Sequence, residues 1–282
     1  MAEVDVLTSV GPDIGFRRAA GACGAYVTGV DLSRTLSDEA IAKIRYALHD
    51  HGVLVFRDQE ITPEEQVAFA SRFGKLHVHP FVPNYPGHPE IMLIKRQKDV
   101  KVKNPIRWHA DSTWEEKPPL ASLLKAVTLP ELGGDTTWSS MYAAYDGLSD
   151  AMKQFLNGLH AVHDAAVQGR LEHFNADNAQ KPLQSAVHPV VITDPVTKKK
   201  ALFVNPGYTT HIAELSAEES ASLLSFLFTH QTRPEYCFRL QWEPGTIAFW
   251  CNLVTQHLAI PDYNADRLMH RVAILCDDAP VR

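Results

Sequence analysis

The chain has 282 residues, 45% hydrophobic and 21% charged, with a formal net charge of −6. This is a globular composition with enough apolar material for a sizeable core, and the length suits one large β-rich domain spanning residues 1–282. Acids and bases are interspersed without a basic block, which excludes nucleic acid as the main partner but not a small anion held by one buried arginine.

Cys23, Cys237, Cys251 and Cys276 stand far apart in the chain and form no CxxC pair. Neither a thiolate zinc site nor a disulfide framework is expected, and a reducing cytoplasm fits best. The N-terminal residues lack a charged start followed by an apolar run, so no secretory signal is expected. No apolar run approaches the roughly 18 residues of a membrane span, so no membrane partner is expected.

Residues 14–31 alternate and predict two short strands around glycine-rich turns. SDEAIAKIRYALHDHG then predicts a helix: Ser37 can cap it, Asp38 and Glu39 suit its first turn, and Ile41, Ile44, Ala47 and Leu48 share a face. GVLVFR follows as a short buried strand. TPEEQVAFASRFG repeats the scheme, with Thr62 as cap, Pro63 at the first position and Gly74 as stop. Strands are predicted at EIMLIKR and SLLKAVTL, and one helical stretch over 141–160. Residues 164–186 are polar and aperiodic and predict a long loop or lid over a site. Strand patterns return at HPVVIT and ALFVN. A helix at SAEESASLLSFLFTHQ opens with a capping box from Ser216 to Glu219, and strands follow at EYCFRLQW, GTIAFWCN and LMHRVAILC.

The peptide R-W-H-A-D-S-T-W, residues 107–114, carries the chemistry. On a strand, residues two apart share a face, so His109 and Asp111 can aim at one metal ion. His257, which follows an apolar strand in WCNLVTQH, supplies a third ligand. Two histidines and one carboxylate on one face of an octahedron leave three positions open, the arrangement that non-haem Fe(II) oxygenases use. With 14 histidines in the chain, an H-x-D pair by itself is weak evidence. Further on, Arg267 and Arg271 lie four apart in DRLMHRVAIL and would face one side of a strand. Two inward arginines need anionic partners: either a bound carboxylate clamped in bidentate fashion, or internal salt bridges to Asp262 or Asp266.

Taken together, these segments resemble the taurine/2-oxoglutarate dioxygenase (TauD/TfdA) family over nearly the whole chain. The likeness lies in GVLVFRDQEITPEEQVAFASRFG, WHADSTW, LPELGGDTTWSSMYAAYDGLS, ALFVNPGYTTHI, and VTQH through MHRVAIL. The resemblance implies a mainly β fold with flanking helices, a double-stranded β-helix or jelly roll. It also implies Fe(II) on His109, Asp111 and His257, with 2-oxoglutarate and O₂ as cosubstrates. Arg267 and the Thr136 hydroxyl would hold the distal carboxylate of 2-oxoglutarate, and Arg271 would lie near the cosubstrate and the substrate's acid. His79 matches a histidine that holds sulfonate in taurine-specific members; read without the family, it is a surface or supporting histidine. The implied reaction hydroxylates a small acidic molecule and releases succinate and CO₂, in a homo-oligomer (dimer or tetramer).

The sequence also departs from the family. Cys251 stands where W-D-N has its acid, which predicts a lost supporting interaction rather than lost iron. Val82 and Ala165 stand where taurine enzymes carry a tyrosine and a phenylalanine, which predicts a wider substrate pocket. That favours alkyl or aryl sulfonates, sulfate esters or aryloxyalkanoates over taurine. Three rivals stand beside this reading: a biosynthetic oxidation such as desaturation or epimerisation, a non-catalytic metal- or acid-binding jelly roll, and a zinc hydrolase.

Overall fold

The computed structural model describes residues 14–79, 82–100, 107–168 and 185–282. Its helices start where polar caps are available. The Ser37 hydroxyl accepts from the Ala40 amide to open α1 (Asp38–His51), which ends at Gly52 with a φ of 71° that a side chain would resist. Thr62 and Glu65 form a reciprocal capping box at α2 (Pro63–Ser71), which ends at Ser71, before the Gly74 expected to stop it.

The helix predicted over 141–160 is two helices, α3 (Met141–Asp146) and α4 (Asp150–Leu156). At the break the chain meets a residue distant in sequence. A Cβ at Gly147 would sit 2.1 Å from the Tyr236 hydroxyl, so the chain passes Tyr236 only because Gly147 has no side chain. Ser149 then caps the second helix through the Met152 amide. The third long helix, α5 (Ala217–His230), opens with the predicted Ser216–Glu219 capping box.

The main sheet joins nine strands, β1 (Gly15–Arg18), β2 (Ala25–Thr28), β3 (Val53–Phe56), β4 (Leu76–His77), β5 (Asn84–Tyr85), β6 (His88–Arg96), β7 (Pro119–Thr128), β15 (Ile247–Cys251) and β17 (Arg267–Leu275). Its path runs β1-β2-β3-β15-β7-β17-β6-β5, with β4 paired to β17 off the path. Opposite it lies a three-stranded sheet of β14 (Cys237–Leu240), β8 (Thr136–Ser140) and β16 (Thr255–Ala259), with β8 in the middle.

The main sheet is covered on both faces, which is why its central strands read as unbroken apolar runs. One face of β3 sends Val53 and Val55 into a core with Leu124, Ala248, Trp250 and Met269, closed from the opposite sheet by Trp138, Phe238 and Leu240. The other face sends Leu54 and Phe56 toward Ile41, Ile44 and Leu48 of α1 and Phe69 of α2. Each such leucine or phenylalanine taken from water contributes about 1.5–3 kcal/mol before chain entropy is counted. Facing sheets around an apolar interior, with helices outside, form the expected mainly β jelly roll.

Two smaller sheets complete the frame: β10 (Ser185–Pro189), β9 (His160–Asp164) and β13 (Thr209–Ile212) form one, and β11 (Val191–Thr193) with β12 (Lys200–Leu202) the other. Of the predicted loop over 164–186, residues 169–184 lie outside the described residues. Its two ends meet in register, with Asp164 opposite Ser185.

Candidate metal centre

The centre is built where β16 meets the peptide containing His109. His109 and His257 form an isolated antiparallel bridge, each amide donating to the other's carbonyl at 3.0 and 2.7 Å. Directly opposed residues project to one side, and the two imidazole centroids lie 4.3 Å apart. His257 follows the apolar β15, as expected, and itself lies inside a strand, β16. The strand expected to carry both His109 and Asp111 does not continue: only His109 makes the bridge, and Asp111 stands in a turn. Ser112 adopts a φ of 48°, the left-handed region that a serine enters at some cost. The turn begins at Asp111 itself, and its carboxylate still reaches the two imidazoles.

One donor atom from each of His109, Asp111 and His257 lies within 4.8 Å of the others, and all three residues are buried. Asp111 Oδ1 is 3.8 Å from both Nε2 atoms. His109 Nδ1 donates to the Arg107 carbonyl at 2.8 Å, which leaves the Nε2 lone pair directed at Asp111. Asp111 Oδ2 is held separately, by the Ser122 hydroxyl at 2.8 Å and by Arg271 Nη2 at 2.7 Å. Burial would raise the Asp111 carboxyl, but Arg271, His257 and His109 outweigh it and hold the group ionised, well below the usual carboxylate range. Two imidazole nitrogens and one carboxylate oxygen are a donor set suited to a divalent iron-class metal.

Residues the sequence did not single out hold this geometry. Asn252 Oδ1 accepts from the Trp250 indole N–H at 2.9 Å and the Asp111 amide at 3.4 Å, while its Nδ2 donates to Ser122. Trp250 packs its ring against His257. Behind the Ser112 bend, the Thr113 hydroxyl meets His163 Nδ1 at 2.9 Å and accepts from Asn205 Nδ2 at 3.1 Å, and His188 Nε2 donates to the Thr113 carbonyl. Burial pushes His163 down to about 3, so it acts here as a neutral hydrogen-bonding ring.

Arg267 and Arg271 do share the inner face of β17, but not the same task. Arg271 is engaged with Asp111 and, at 3.2 Å, with Ser122. Arg267, 7% exposed, donates to the Gly134 carbonyl at 3.2 Å and lies between the rings of Trp242 and Tyr263, each 6.0 Å away. Among the described residues no carboxylate lies within ion-pairing distance of Arg267, and its buried Nε has no partner. The internal salt bridges considered from sequence are not made: Asp262 meets Arg239 and the Gly134 amide, and Asp266 accepts from the Lys98 amide. Thr136 is buried close by, its hydroxyl accepting from Trp242 Nε1 at 3.0 Å. A buried guanidinium with no carboxylate at ion-pairing distance among the described residues, beside a hydroxyl with a proton to donate, fits a carboxylate ligand.

The remaining expected positions are more peripheral. His79 Nδ1 accepts from the Val82 amide at 3.2 Å, which places its proton on Nε2. Ala165 is buried at the start of the short 3₁₀ turn after β9. Cys251 does not stand beside His109, Asp111 and His257. It faces the helix side of the sheet, its Sγ 4.0 Å from His49 Nδ1, and His49 in turn meets Asp194 Oδ2 at 2.5 Å. A separation of 2.5 Å is a hydrogen bond between charged partners, and Asp194 Oδ1 is already used by the Val196 and Thr197 amides and the Thr197 hydroxyl. This second His, Asp and Cys convergence is therefore a buried ion pair that ties α1 to the turn after β11.

The model of the family of taurine catabolism dioxygenases TauD and TfdA matches residues 15–273. An alpha-ketoglutarate-dependent dioxygenase of Penicillium expansum is 37% identical over 88% of this chain and 73% of its own length. An alkylsulfatase of Acinetobacter baylyi is 34% identical over 92% of this chain and 84% of its own. A solved taurine dioxygenase from Burkholderia xenovorans superposes with a TM-score of 0.83 at 35% identity, covering 96% of this chain and 91% of the other. The chain belongs to the TauD/TfdA family and is an alpha-ketoglutarate-dependent dioxygenase, an oxidoreductase that uses a metal ion, 2-oxoglutarate and O₂.

Proposed function

We propose that this enzyme uses Fe(II) to hydroxylate a small acidic molecule, a sulfonate, sulfate ester or carboxylate, with release of succinate and CO₂. The observation that carries the reading is Arg267, a buried cation with no carboxylate partner among the described residues, on the same face of β17 as Arg271 beside the His-Asp-His centre. Bound iron supplies the centre at which 2-oxoglutarate and O₂ react.

The chain's residues do the placing. His109 and His257 present Nε2, and Asp111 presents Oδ1 while Ser122 and Arg271 hold its other oxygen. Arg267 clamps the distal carboxylate of 2-oxoglutarate. Thr136, which accepts from Trp242, turns its own hydroxyl proton toward that carboxylate. The Nε2–H of His79 and the guanidinium of Arg271 tether the substrate's acid, so that one C–H bond faces the metal. A hydroxyl placed on a carbon bearing a sulfonate or sulfate ester gives an unstable product that releases sulfite or sulfate.

The family match across residues 15–273 supports one catalytic domain for the chain. Four free cysteines suit a reducing cytoplasm, and assembly as a homo-oligomer belongs to the same proposal.

The test is anaerobic addition of Fe(II) and 2-oxoglutarate to metal-free protein, followed by the weak visible charge-transfer band of the chelate. A band that is lost in His109→Ala, and that needs far more 2-oxoglutarate in Arg267→Ala, is the expected result. Tight zinc binding without any band would overturn the proposal.

A further inference from the structure

We infer that His77 is a second imidazole gripping the substrate's acidic group beside His79 and Arg271, and that these three donors select a tetrahedral oxyanion, sulfate ester or sulfonate, over a planar carboxylate. The inference rests on the acid-hydroxylating reading above.

Strand register places His77. In the pairing of β4 with β17, Ala273 stands opposite His77 and Ile274 opposite Leu76. Opposed residues share a face, so His77 lies on the face of β17 that carries Ala273 and Arg271, while Leu76 turns to the helix side with Ile274. Across β17 the same row continues to β7, where Ala273 stands opposite Ser122. Ser122 is the residue whose hydroxyl holds Asp111. The row thus runs from His77 through the methyl of Ala273 to the anchor of the metal ligand, with Arg271 in the adjoining row.

The chemistry of His77 agrees with its place. It is half-buried, and its ring makes no hydrogen bond to another described residue. Its ring meets that of His79 edge to face, with centroids 5.7 Å apart, so both imidazoles border the same space. Burial, and then the charge of Arg271, disfavour the protonated form of His77 in the ligand-free protein, so it waits as a neutral N–H donor. Arg271 spends Nη2 on Asp111 and Ser122, and its buried Nε has no partner among the described residues. Three donor groups match in number the three terminal oxygens of a sulfate ester or sulfonate. A carboxylate has only two oxygens in one plane and leaves one donor unmet.

The experiment titrates the anaerobic Fe(II)·2-oxoglutarate enzyme with hexyl sulfate, hexane-1-sulfonate and heptanoate, reading the shift of the charge-transfer band. Wild-type protein should bind the sulfate or sulfonate more tightly than heptanoate. His77→Ala should weaken that binding roughly tenfold to a hundredfold, the loss of one hydrogen bond to a charged group, and leave 2-oxoglutarate affinity unchanged. His77→Gln, which keeps an N–H, should recover part of it, which a purely structural role would not predict. Unchanged affinity in His77→Ala, or a wild-type preference for heptanoate, would overturn the inference. So would a wild-type band that none of the three compounds shifts. Absence of the band from the wild type would instead bring down the Fe(II) and 2-oxoglutarate reading, and this inference with it.

Discussion

Ser122→Ala removes one oxygen atom from a fully buried position and tests how Asp111, the proposed metal ligand, is held. The Ser122 hydroxyl donates to Asp111 Oδ2 at 2.8 Å, while Arg271 Nη2 contacts the same oxygen at 2.7 Å. A hydrogen bond to an ionised group is worth about 1.5–3 kcal/mol, and the Arg271 contact survives the substitution, so the lower figure applies. About 1.4 kcal/mol corresponds to tenfold in a binding constant, so Fe(II) affinity should fall roughly tenfold. Asn252 Nδ2 also loses its 3.4 Å contact, which loosens the residue that receives the Asp111 amide and the Trp250 indole. The assay is Fe(II) titration of metal-free protein under anaerobic conditions, with thermal unfolding of the metal-free variant run in parallel. Wild-type Fe(II) affinity in a folded Ser122→Ala protein would show that the carboxylate needs no such support and would refute the argument.

The His49–Asp194 pair predicts a pH dependence of stability in the metal-free protein. Burial alone would lower His49, but Cys251 and Asp194 outweigh it and raise the imidazole to about 10. A raised histidine stabilises the fold fully below its unfolded value near 6.5, and that contribution fades as pH climbs toward 10. Asp194 is shifted the other way: burial opposes ionisation, but His49 and the turn amides lower it, so its contribution is lost only as pH falls through its depressed value. Urea unfolding should therefore weaken between pH 7 and 10 in wild type, a slope that His49→Leu removes; parallel slopes in the two proteins contradict the pairing. Trp242→Phe keeps a ring beside Arg267 but loses the donor to Thr136, and should raise the 2-oxoglutarate Kd roughly two- to tenfold without changing Fe(II) affinity. Gly147→Ala should destabilise by about 1–3 kcal/mol through its clash with Tyr236, and Tyr236→Phe in the same chain should recover part of the loss in thermal unfolding. A glycine that tolerates alanine at no cost would mean that Tyr236 does not press on this position.

Local signals were legible wherever the physics is local. The caps at Ser37, Thr62 and Ser216 act on amides within one turn, so their helices begin as expected. Apolar runs such as VLVF mark strands covered on both faces, and no knowledge of the partner strand is needed to see that. The close approach of Tyr236 to Gly147 was not legible, because Tyr236 is distant in sequence and arrives only with the fold.

By itself the sequence determined the family and picked out His109, Asp111 and His257 as a candidate donor set beside the paired arginines, because donor chemistry and ordered motifs are legible in the chain. Tertiary structure alone decided how they work. The bridge between His109 and His257 joins two segments distant in the chain, and the turn that begins at Asp111 replaces the strand that alternation suggested. Arg267 and Arg271 look alike in sequence, yet one lacks a carboxylate partner among the described residues while the other holds Asp111. Cys251 reads as a change beside the metal but faces His49, because adjacent residues on a strand point to opposite faces of the sheet. A residue's type states what it can donate or accept; which partner it meets is set by strand pairing across the barrel.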